Sequence, residues 1–311
     1  MELPSIFNCS NDMALAANVR QYFPPKRILQ MEEDLKELSR LWEGTRFAGP
    51  WGWSLATKQR YRQMGVDEHL LPSDSWLDEV RRLSSREFAC EYIHGLLEVM
   101  KDNRLVGKEM TFSDKADIEI CYPTIFKSPW SSSGRGVFVS EGLTKEQIET
   151  KLRGFVNTQG GYAKDRFLKN KVLDFAMEFY VNEDKTVEFL GYSVFHAAEN
   201  GAYGYNVVDS QEALLRMIDV DEGLLNSLIE YHKEHLGRTA YHGPVGIDML
   251  KTAEGLIHPC IEINLRMNMG ILAIILSERY CPKSTEYFTI CRNHGFQALI
   301  DEGKLMIIFK K

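Results

Sequence analysis

The chain of 311 residues lacks several features that would assign it to a particular class of protein. It has no excess of positive charge, since 37 Lys and Arg residues stand against 44 Asp and Glu residues, for a net charge of −7. We therefore expect no broad basic surface for nucleic acid or anionic lipid. The longest apolar run, residues 270–276, is far too short to cross a bilayer, so we predict no membrane span.

Cysteine is scarce and dispersed. The six cysteines form no C-x-x-C pair and no spacing typical of a disulfide framework. The first residues lack a basic segment followed by an apolar one, so we expect no signal peptide. Hydrophobic residues make up 44% of the chain and charged residues 26%, which is ordinary for a globular protein. These features predict a reduced, soluble, cytoplasmic protein.

The order of the expected elements divides the chain. Short strands at residues 5–9, 27–29 and 45–48 alternate with helices at 32–42 and 55–64. This alternation predicts a small α/β unit with a parallel sheet. Beyond it, we expect helices at residues 84–100, 144–155 and 222–236 and strands at residues 173–181, 187–195, 245–250 and 256–263.

The last two predicted strands form a hairpin that carries the strongest chemical signal. Alternate side chains of a strand share a face, so Glu262, Asn264 and Arg266 point one way, and Asp248 lies on the partner strand. Two carboxylates and a carboxamide oxygen suit Mg²⁺ and the phosphate oxygens that it binds. Arg266 would then neutralise charge on a transferred phosphoryl group. The alternative is a solvated strand face, where Glu, Asn and Arg are common.

A second signal is a lysine followed by a loop of small residues. A strand brings Lys127 to this loop, in which glycines permit close approach to phosphates and serines offer hydroxyl donors. The loop is neither a Walker A sequence nor a dinucleotide fingerprint. The alternative is an ordinary hairpin connection, but the preceding lysine favours anion binding. The loop residues that we assign to phosphate binding are Ser131, Ser132, Ser133, Gly134 and Gly136.

These two signals, in this order, resemble the ATP-grasp superfamily, and most closely its D-alanine–D-alanine ligase branch. The likeness covers residues 84–275. It implies an α/β fold that is α+β in its C-terminal part. A small Rossmann-like α/β domain (1–83) would precede a central subdomain with the phosphate loop (84–164) and a C-terminal subdomain with the metal site (165–311).

The resemblance also implies roles for single residues. Arg86 and Lys127 would contact the α-phosphate, and the hinge from Asp165 to Leu168 would hold adenine through the backbone of Phe167 and Leu168. Asp174 would bind the ribose hydroxyls, with Glu178 on the same strand face. Asp248, Glu262 and Asn264 would bind the metal, and Lys127 and Arg266 would be catalytic. The sequence departs from the family at Gly246, where the ligase branch often has an arginine, so the acyl-phosphate contacts have no match.

The resemblance implies an enzyme, an ATP-dependent carboxylate–amine ligase that forms a C–N bond. ATP with Mg²⁺ or Mn²⁺ would activate a small carboxylate or amino acid as an acyl phosphate, which an amine would then attack. The expected partners are these small molecules, with no nucleic acid, no membrane and a homodimer left open. The alternatives are a nucleotide-binding module without turnover and a kinase-like phosphotransferase on the same scaffold.

Several polar or aromatic residues keep two interpretations. Near the N-terminus, Asn8, Asn11 and Asp12 lie in a segment that either helps to hold an acceptor substrate or provides a helix cap at Ser10 or Asn11. Trp51 and Trp53 either line a pocket or pack. The residues from His196 to Asn206 either close over a ligand or form a plain loop. His232 and His235 lie at i, i+3 without a third ligand, so we expect a solvated helix face there.

Overall fold

The computed structural model describes residues 3–116, 118–131, 134, 136–197, 203–280, 285–291, 297–301 and 304–308. Helices surround the sheets, and none in this part of the chain is long and apolar enough to cross a membrane. Two short 3₁₀ helices lie at Lys36–Leu41 and Glu68–Leu70. The α-helices are α1 (Asn11–Ala17), α2 (Lys26–Asp34), α3 (Leu55–Gln63), α4 (Asp74–Leu83), α5 (Arg86–Met100), α6 (Lys145–Gln159), α7 (Gln211–Ile218), α8 (Glu222–Gly237) and α9 (Met269–Tyr280).

The strands form two sheets. The smaller has the order β1-β4-β2-β3, and the larger has the order β11-β12-β10-β7-β6-β5-β8-β9. Neighbouring strands are antiparallel except for the parallel pair β10–β12. The strands are β1 (Thr111–Ser113), β2 (Thr124–Lys127), β3 (Val137–Val139), β4 (Tyr162–Arg166), β5 (Lys171–Val181), β6 (Val187–Ala197), β7 (Tyr203–Val208), β8 (Gly243–Thr252), β9 (Ile257–Asn264), β10 (Glu286–Cys291), β11 (Gln297–Asp301) and β12 (Lys304–Ile308).

The predicted N-terminal parallel sheet is wrong. Residues 3–83 contain helices and turns but no strand, and their one parallel bridge joins Ile6 to Pro50. Residues 27–29 belong to α2, because Ile28 continues the helical spacing of Met31 and Leu35 toward the core. Residues 45–48 form turns rather than a strand. The subdomain boundaries after residues 83 and 164 stay predictions.

The predicted hairpin of the C-terminal part is confirmed as β8 and β9. Asp248 lies directly opposite Glu262. The pairing register shifts between this pair and the next pair, Leu250 with His258. The shift falls where Pro259, which has no N–H to donate to a ladder, occupies the strand. On the other side of β8, Ala176 of β5 lies opposite Asp248. Three adjacent strands therefore bring their polar side chains to one face.

The opposite face of the large sheet packs into the main core. Phe175, Met177 and Phe179 of β5 are fully buried there, in one cluster with Leu228 of α8. His232 of α8 belongs to this interior, since it is 0% exposed and its Nδ1 lies 2.8 Å from the hydroxyl of Tyr92. The expectation of a solvated helix face at His232 is therefore wrong. The rigid core holds the polar face of the sheet in place.

We expect the substitution Phe179→Ala to lower the free energy of unfolding by about 3 to 5 kcal/mol, because the ring is fully buried and leaves a cavity. The control is Phe23→Ala at a ring that is 81% exposed, where we expect a change below about 0.5 kcal/mol. Urea unfolding of both variants measures the difference. Equal losses would contradict the placement of Phe179 in the core.

Candidate functional site

A cleft of about 1460 Å³ lies where the two sheets and the N-terminal helices meet. It exceeds the usual 300–1,000 Å³ of a small-molecule pocket. Ser131 lines a small cavity beside it, whereas Ser132 and Ser133 lie outside the described residues. The predicted site residues that line the cleft are Arg86, Lys127, Gly134, Asp165, Phe167, Leu168, Asp174, Glu178, Asp248, Glu262, Asn264 and Arg266.

The hairpin places an oxygen-rich group on the cleft wall. Asp248 and Glu262 lie opposite each other, and Asn264 lies opposite Gly246 and bonds to Asp248. Burial and the neighbouring Glu262 charge raise the pKa of Asp248. Two carboxylates held this close favour a cation between them. No set of three His, Cys, Asp or Glu side chains suited to a metal exists among the described residues, so phosphate and water oxygens would complete the coordination.

Arg86 reaches this carboxylate pair from the first turn of α5. Its Nη2 donates to Oε2 of Glu262 at 2.7 Å, and its Nη1 donates to the carbonyl of Ser128 at 2.8 Å and to Oγ of Ser131 at 2.9 Å. Its buried Nε has no partner in the described structure. In this arrangement Arg86 joins the phosphate loop to Glu262, whereas the sequence predicted a contact with the α-phosphate.

Lys127 stands at the end of β2 and faces the same cleft. The pKa of Lys127 lies below its usual value, because burial and the Arg86 charge lower it more than the charges of Asp165 and Glu262 raise it. The glycines that follow are required by the backbone, because Gly134 and Gly136 have φ values of 72° and 71°. Gly136 packs against Ser128, and its carbonyl accepts from the amide of Ser128 at 2.8 Å. A cation beside a glycine turn suits an anionic ligand.

The predicted hinge is partly occupied by protein contacts. Oδ2 of Asp165 pairs with Nε2 of His258 at 2.8 Å, and the amide of Phe167 donates to the carbonyl of Pro123 at 2.8 Å. The Phe167 amide is thus already engaged, which leaves its carbonyl and the backbone of Leu168 as the groups to face a base. The sequence missed His258, although it shares the strand spacing of Glu262.

Asp174 lies farther along β5, on the same side of the cleft as the hinge. Its Oδ2 accepts from the ammonium of Lys171 at 2.6 Å and from the amide of Ala197 at 3.3 Å. A ribose would have to share this carboxylate with Lys171.

Arg266 is held by the N-terminal part of the chain. Its Nε and Nη2 donate to the two carboxylate oxygens of Asp12 at 3.1 and 3.0 Å, and its Nη1 donates to the carbonyl of Met267. Burial lowers the pKa of Arg266, but Asp12, Glu262 and Asp248 together more than offset this effect, so the pKa lies above its usual value. Asp12 therefore acts on the predicted catalytic arginine in addition to lying in the first turn of α1.

Comparison with protein-family models found no match to this sequence, and comparison with curated proteins found none either. Solved structures do resemble it. Biotin carboxylase from Campylobacter jejuni, in a β-γ-ATP complex, gives a TM-score of 0.51 at 17% identity over 76% of this chain and 55% of that chain. Pyruvate carboxylase from Rhizobium etli, with the allosteric activator acetyl coenzyme A, gives 0.55 at 15% identity over 88% of this chain and 27% of that one.

These neighbours are ATP-grasp structures. This chain has the ATP-grasp fold. The expected fold class is thereby confirmed, although the helical N-terminal part differs from the prediction. The chain spans about half the length of the biotin carboxylase that it matches. At identities of 17% and 15%, the likeness to these structures shows the fold alone.

Glu178, which was expected to share a strand face with Asp174, also lines the cleft. Its Oε1 accepts from Oγ of Ser193 and its Oε2 from Nδ2 of Asn268, both at 2.8 Å. Gly246 and Gly270 leave room for the carboxylate, because a Cβ on Gly246 would lie 2.6 Å from Oε2. The sequence missed Asn268, although it continues the spacing of Asn264 and Arg266.

We predict a pH dependence that originates at Glu178. Burial raises its pKa to about 7, even though Asn268, Ser193 and Arg266 lower it. In the unfolded chain the pKa is about 4.3. Between these values the folded state holds more protons than the unfolded state, so the free energy of unfolding falls as pH rises.

The variant Glu178→Gln cannot titrate. From pH 4.5 to pH 8, wild type should therefore lose about 3 kcal/mol of stability relative to this variant, at roughly 1.4 kcal/mol per pKa unit. Chemical unfolding at several pH values measures this difference. Glu183→Gln, at an exposed position, should show no such trend. Parallel pH profiles for wild type and Glu178→Gln would show that burial does not shift the pKa of this carboxyl group.

Proposed function

We propose that the protein is an ATP-dependent carboxylate–amine ligase that uses Mg²⁺ or Mn²⁺. The observation that carries this proposal is the opposed pair Asp248 and Glu262, with Asn264 beside it, in a cleft that also contains Lys127 and Arg266. Acidic metal ligands and separate cations in one cleft suit a nucleoside triphosphate whose charge is shared between metal and protein. The ATP-grasp fold and the β-γ-ATP complex of the Campylobacter jejuni neighbour support it.

Each group of residues has a part in this proposal. Asp248, Glu262 and Asn264 would hold the metal, which neutralises charge on the phosphates when bound. Lys127 and the backbone at Gly134 bind phosphate oxygens, and the hinge near Leu168 binds adenine. Arg266 orients the carboxylate to be activated and stabilises the charge on the transferred phosphoryl group.

The reaction consists of two transfers. An oxygen of the substrate carboxylate attacks the γ-phosphorus of ATP, and the bond from that phosphorus to the bridging oxygen breaks, so that ADP leaves with the electron pair. The amine nitrogen then attacks the carbonyl carbon of the acyl phosphate, inorganic phosphate leaves, and the nitrogen loses a proton. The product has a new C–N bond.

Arg86 changes partner in the proposed cycle. It pairs with Glu262 at 2.7 Å, and a metal ion would compete with it for the same carboxylate. Its guanidinium would then be available to a phosphate, which reconciles the structure with the contact that the sequence predicted. Arg86 thus keeps the partly buried Glu262 paired until a cation replaces it.

Binding is tested by thermal unfolding with nucleotide. A ligand at 100 times its Kd stabilises the folded state by about 2.7 kcal/mol, which raises the melting temperature of a chain of this size by a few degrees. ATP with Mg²⁺ should protect more than ATP with EDTA, because the metal bridges the carboxylates to the phosphates. The double variant Asp248→Asn, Glu262→Gln should lose the Mg²⁺-dependent part of the shift.

The matched control is Asp114→Asn with Glu183→Gln, two exposed acids outside the cleft, which should keep the full shift. A melting curve that is indifferent to millimolar ATP, ADP and Mg²⁺ would overturn the proposed function.

Turnover is tested by ADP release with pooled carboxylic acids and amines. A ligase should release ADP over many turnovers only when a carboxylate and an amine are present together, because the acyl phosphate has to be consumed before the next cycle. Glu262→Gln should slow this release at least about 100-fold, roughly 3 kcal/mol of lost transition-state stabilisation. A stable phosphorylated product without any amine would instead indicate a kinase-like phosphotransferase. Nucleotide binding without ADP release under any pool would indicate a binding module.

A further inference from the structure

Lys127 is a phosphate-binding cation of the proposed function, and an acid lies close enough to neutralise it. In the pairing of β2 with β4, Lys127 lies opposite Ala163, two residues before Asp165, so the lysine and the aspartate are diagonal neighbours on one face of the small sheet. Diagonal neighbours lie about 7–8 Å apart, a gap that a long side chain can bridge. Both side chains line the cleft, where an ion pair between them would compete with phosphate for the ammonium group.

The carboxylate of Asp165 is engaged elsewhere. The charge of Asp165 acts on Lys127, but no hydrogen bond joins these two described residues. Oδ2 of Asp165 lies 2.8 Å from Nε2 of His258, and Oδ1 accepts from the amide of Arg166 at 2.7 Å. Because an ionised carboxylate only accepts, Nε2 is the donor in the bond to Oδ2. Each oxygen of the acid thus has a donor other than the lysine.

His258 is fixed firmly enough to hold the acid. It comes from β9, so its bond to Asp165 of β4 joins the large sheet to the small one. The residue is only 2% exposed, and a Cβ on Gly107 would lie 2.8 Å from its Nε2. The backbone at Gly107 therefore packs directly against the imidazole and leaves it little room to turn away from Asp165.

Packing alone does not account for a histidine at this position. The Nδ1 atom of His258 is buried and has no hydrogen-bond partner in the described structure. Few buried polar atoms of folded proteins lack a partner, because such an atom loses its bonds to water without replacing them. An apolar side chain of similar size would avoid this cost. The imidazole is therefore explained by its other nitrogen, which donates to Asp165.

We propose that His258 is a positioning residue that holds the carboxylate of Asp165 away from Lys127, so that the lysine ammonium group stays available to the phosphates of the nucleotide. His258 acts through Asp165 and not by a contact of its own with the phosphates. Without the Nε2 donor, the acid turns to Lys127, its diagonal neighbour, and the resulting ion pair competes with phosphate. The inference rests on the proposed function, because it concerns the phosphate contact of Lys127.

The test is calorimetric titration of the full chain with Mg²⁺–ATP and with adenosine, which lacks the phosphates that Lys127 would bind. His258→Met removes the donor and keeps a side chain of similar volume. We expect this variant to lose at least about 10-fold of the preference for ATP over adenosine, because an ion pair has to break before phosphate binds. His258→Gln, whose amide N–H reaches the position of Nε2, should keep the wild-type preference within about 2-fold.

A second substitution tests whether the effect passes through Asp165. In the background of Asp165→Asn, no carboxylate is left at this position to pair with Lys127. We therefore expect His258→Met to change the preference for ATP by less than about 2-fold in that background. The matched control is His232→Met, which removes a buried histidine that is hydrogen-bonded to Tyr92 outside the cleft. It should lower stability and leave the preference for ATP unchanged.

The outcomes distinguish this inference from the proposed function. Wild type that binds Mg²⁺–ATP no more tightly than adenosine would overturn the proposed function and the inference with it. Where wild type prefers ATP, a folded His258→Met variant with the same preference would overturn the inference alone. An equal loss in the Asp165→Asn background would also overturn it, since His258 would then act on the fold and not through the acid. His258→Leu, made in parallel, is a second apolar replacement, and either folded variant decides the outcome.

Discussion

The opposition of Asp248 and Glu262 across β8 and β9 is the constraint on which the rest of the cleft depends. Like charges directly opposite in an antiparallel pair destabilise it, and burial increases the cost. Such a pair persists only where cations are supplied. The described structure supplies Arg86 at 2.7 Å from Glu262, and Arg266 acts on Asp248 through its charge. The acids thus determine where the cations of the cleft have to lie.

Those cations come from separate parts of the chain, so the carboxylate pair also organises the tertiary structure. Arg86 begins α5 and holds Ser131 of the phosphate loop, and Arg266 follows β9 and holds Asp12 of α1. A change of charge at the hairpin, such as metal binding, is therefore felt by the loop and by the N-terminal helices together. The ion pairs connect the hairpin to the loop on one side and to the N-terminal helices on the other.

The sequence predicted the hairpin because strand alternation and the turn at residues 251–255 specify which side chains share a face. It did not predict the N-terminal part, because a segment as short as residues 27–29, in which only Ile28 and Leu29 are apolar, fits a helix or a strand equally well. Likewise, the i, i+3 spacing of His232 and His235 shows a shared helix side without showing whether that side is buried. Patterns along the chain give periodicity, and packing decides burial.

Glu178 shows the same limit along a strand. Asp174 and Glu178 do share a face, but four residues of a strand span about 13 Å, so they serve different parts of the cleft. Glu178 lies opposite Gly246, the position at which the D-alanine–D-alanine ligase branch often has an arginine. Here Asn268 and the Glu178 carboxyl group occupy the space above that glycine.

A fully charged Glu178 would add a third negative charge beside Asp248 and Glu262, close to where anionic phosphates would bind. Burial raises the pKa of Glu178 to about 7, which reduces that charge near neutral pH. The charge that Glu178 does carry helps to raise the pKa of Asp248. The space above Gly246 thus holds a carboxyl group whose negative charge is reduced near neutral pH, and Arg266 is the cation whose charge acts on both Glu178 and Asp248.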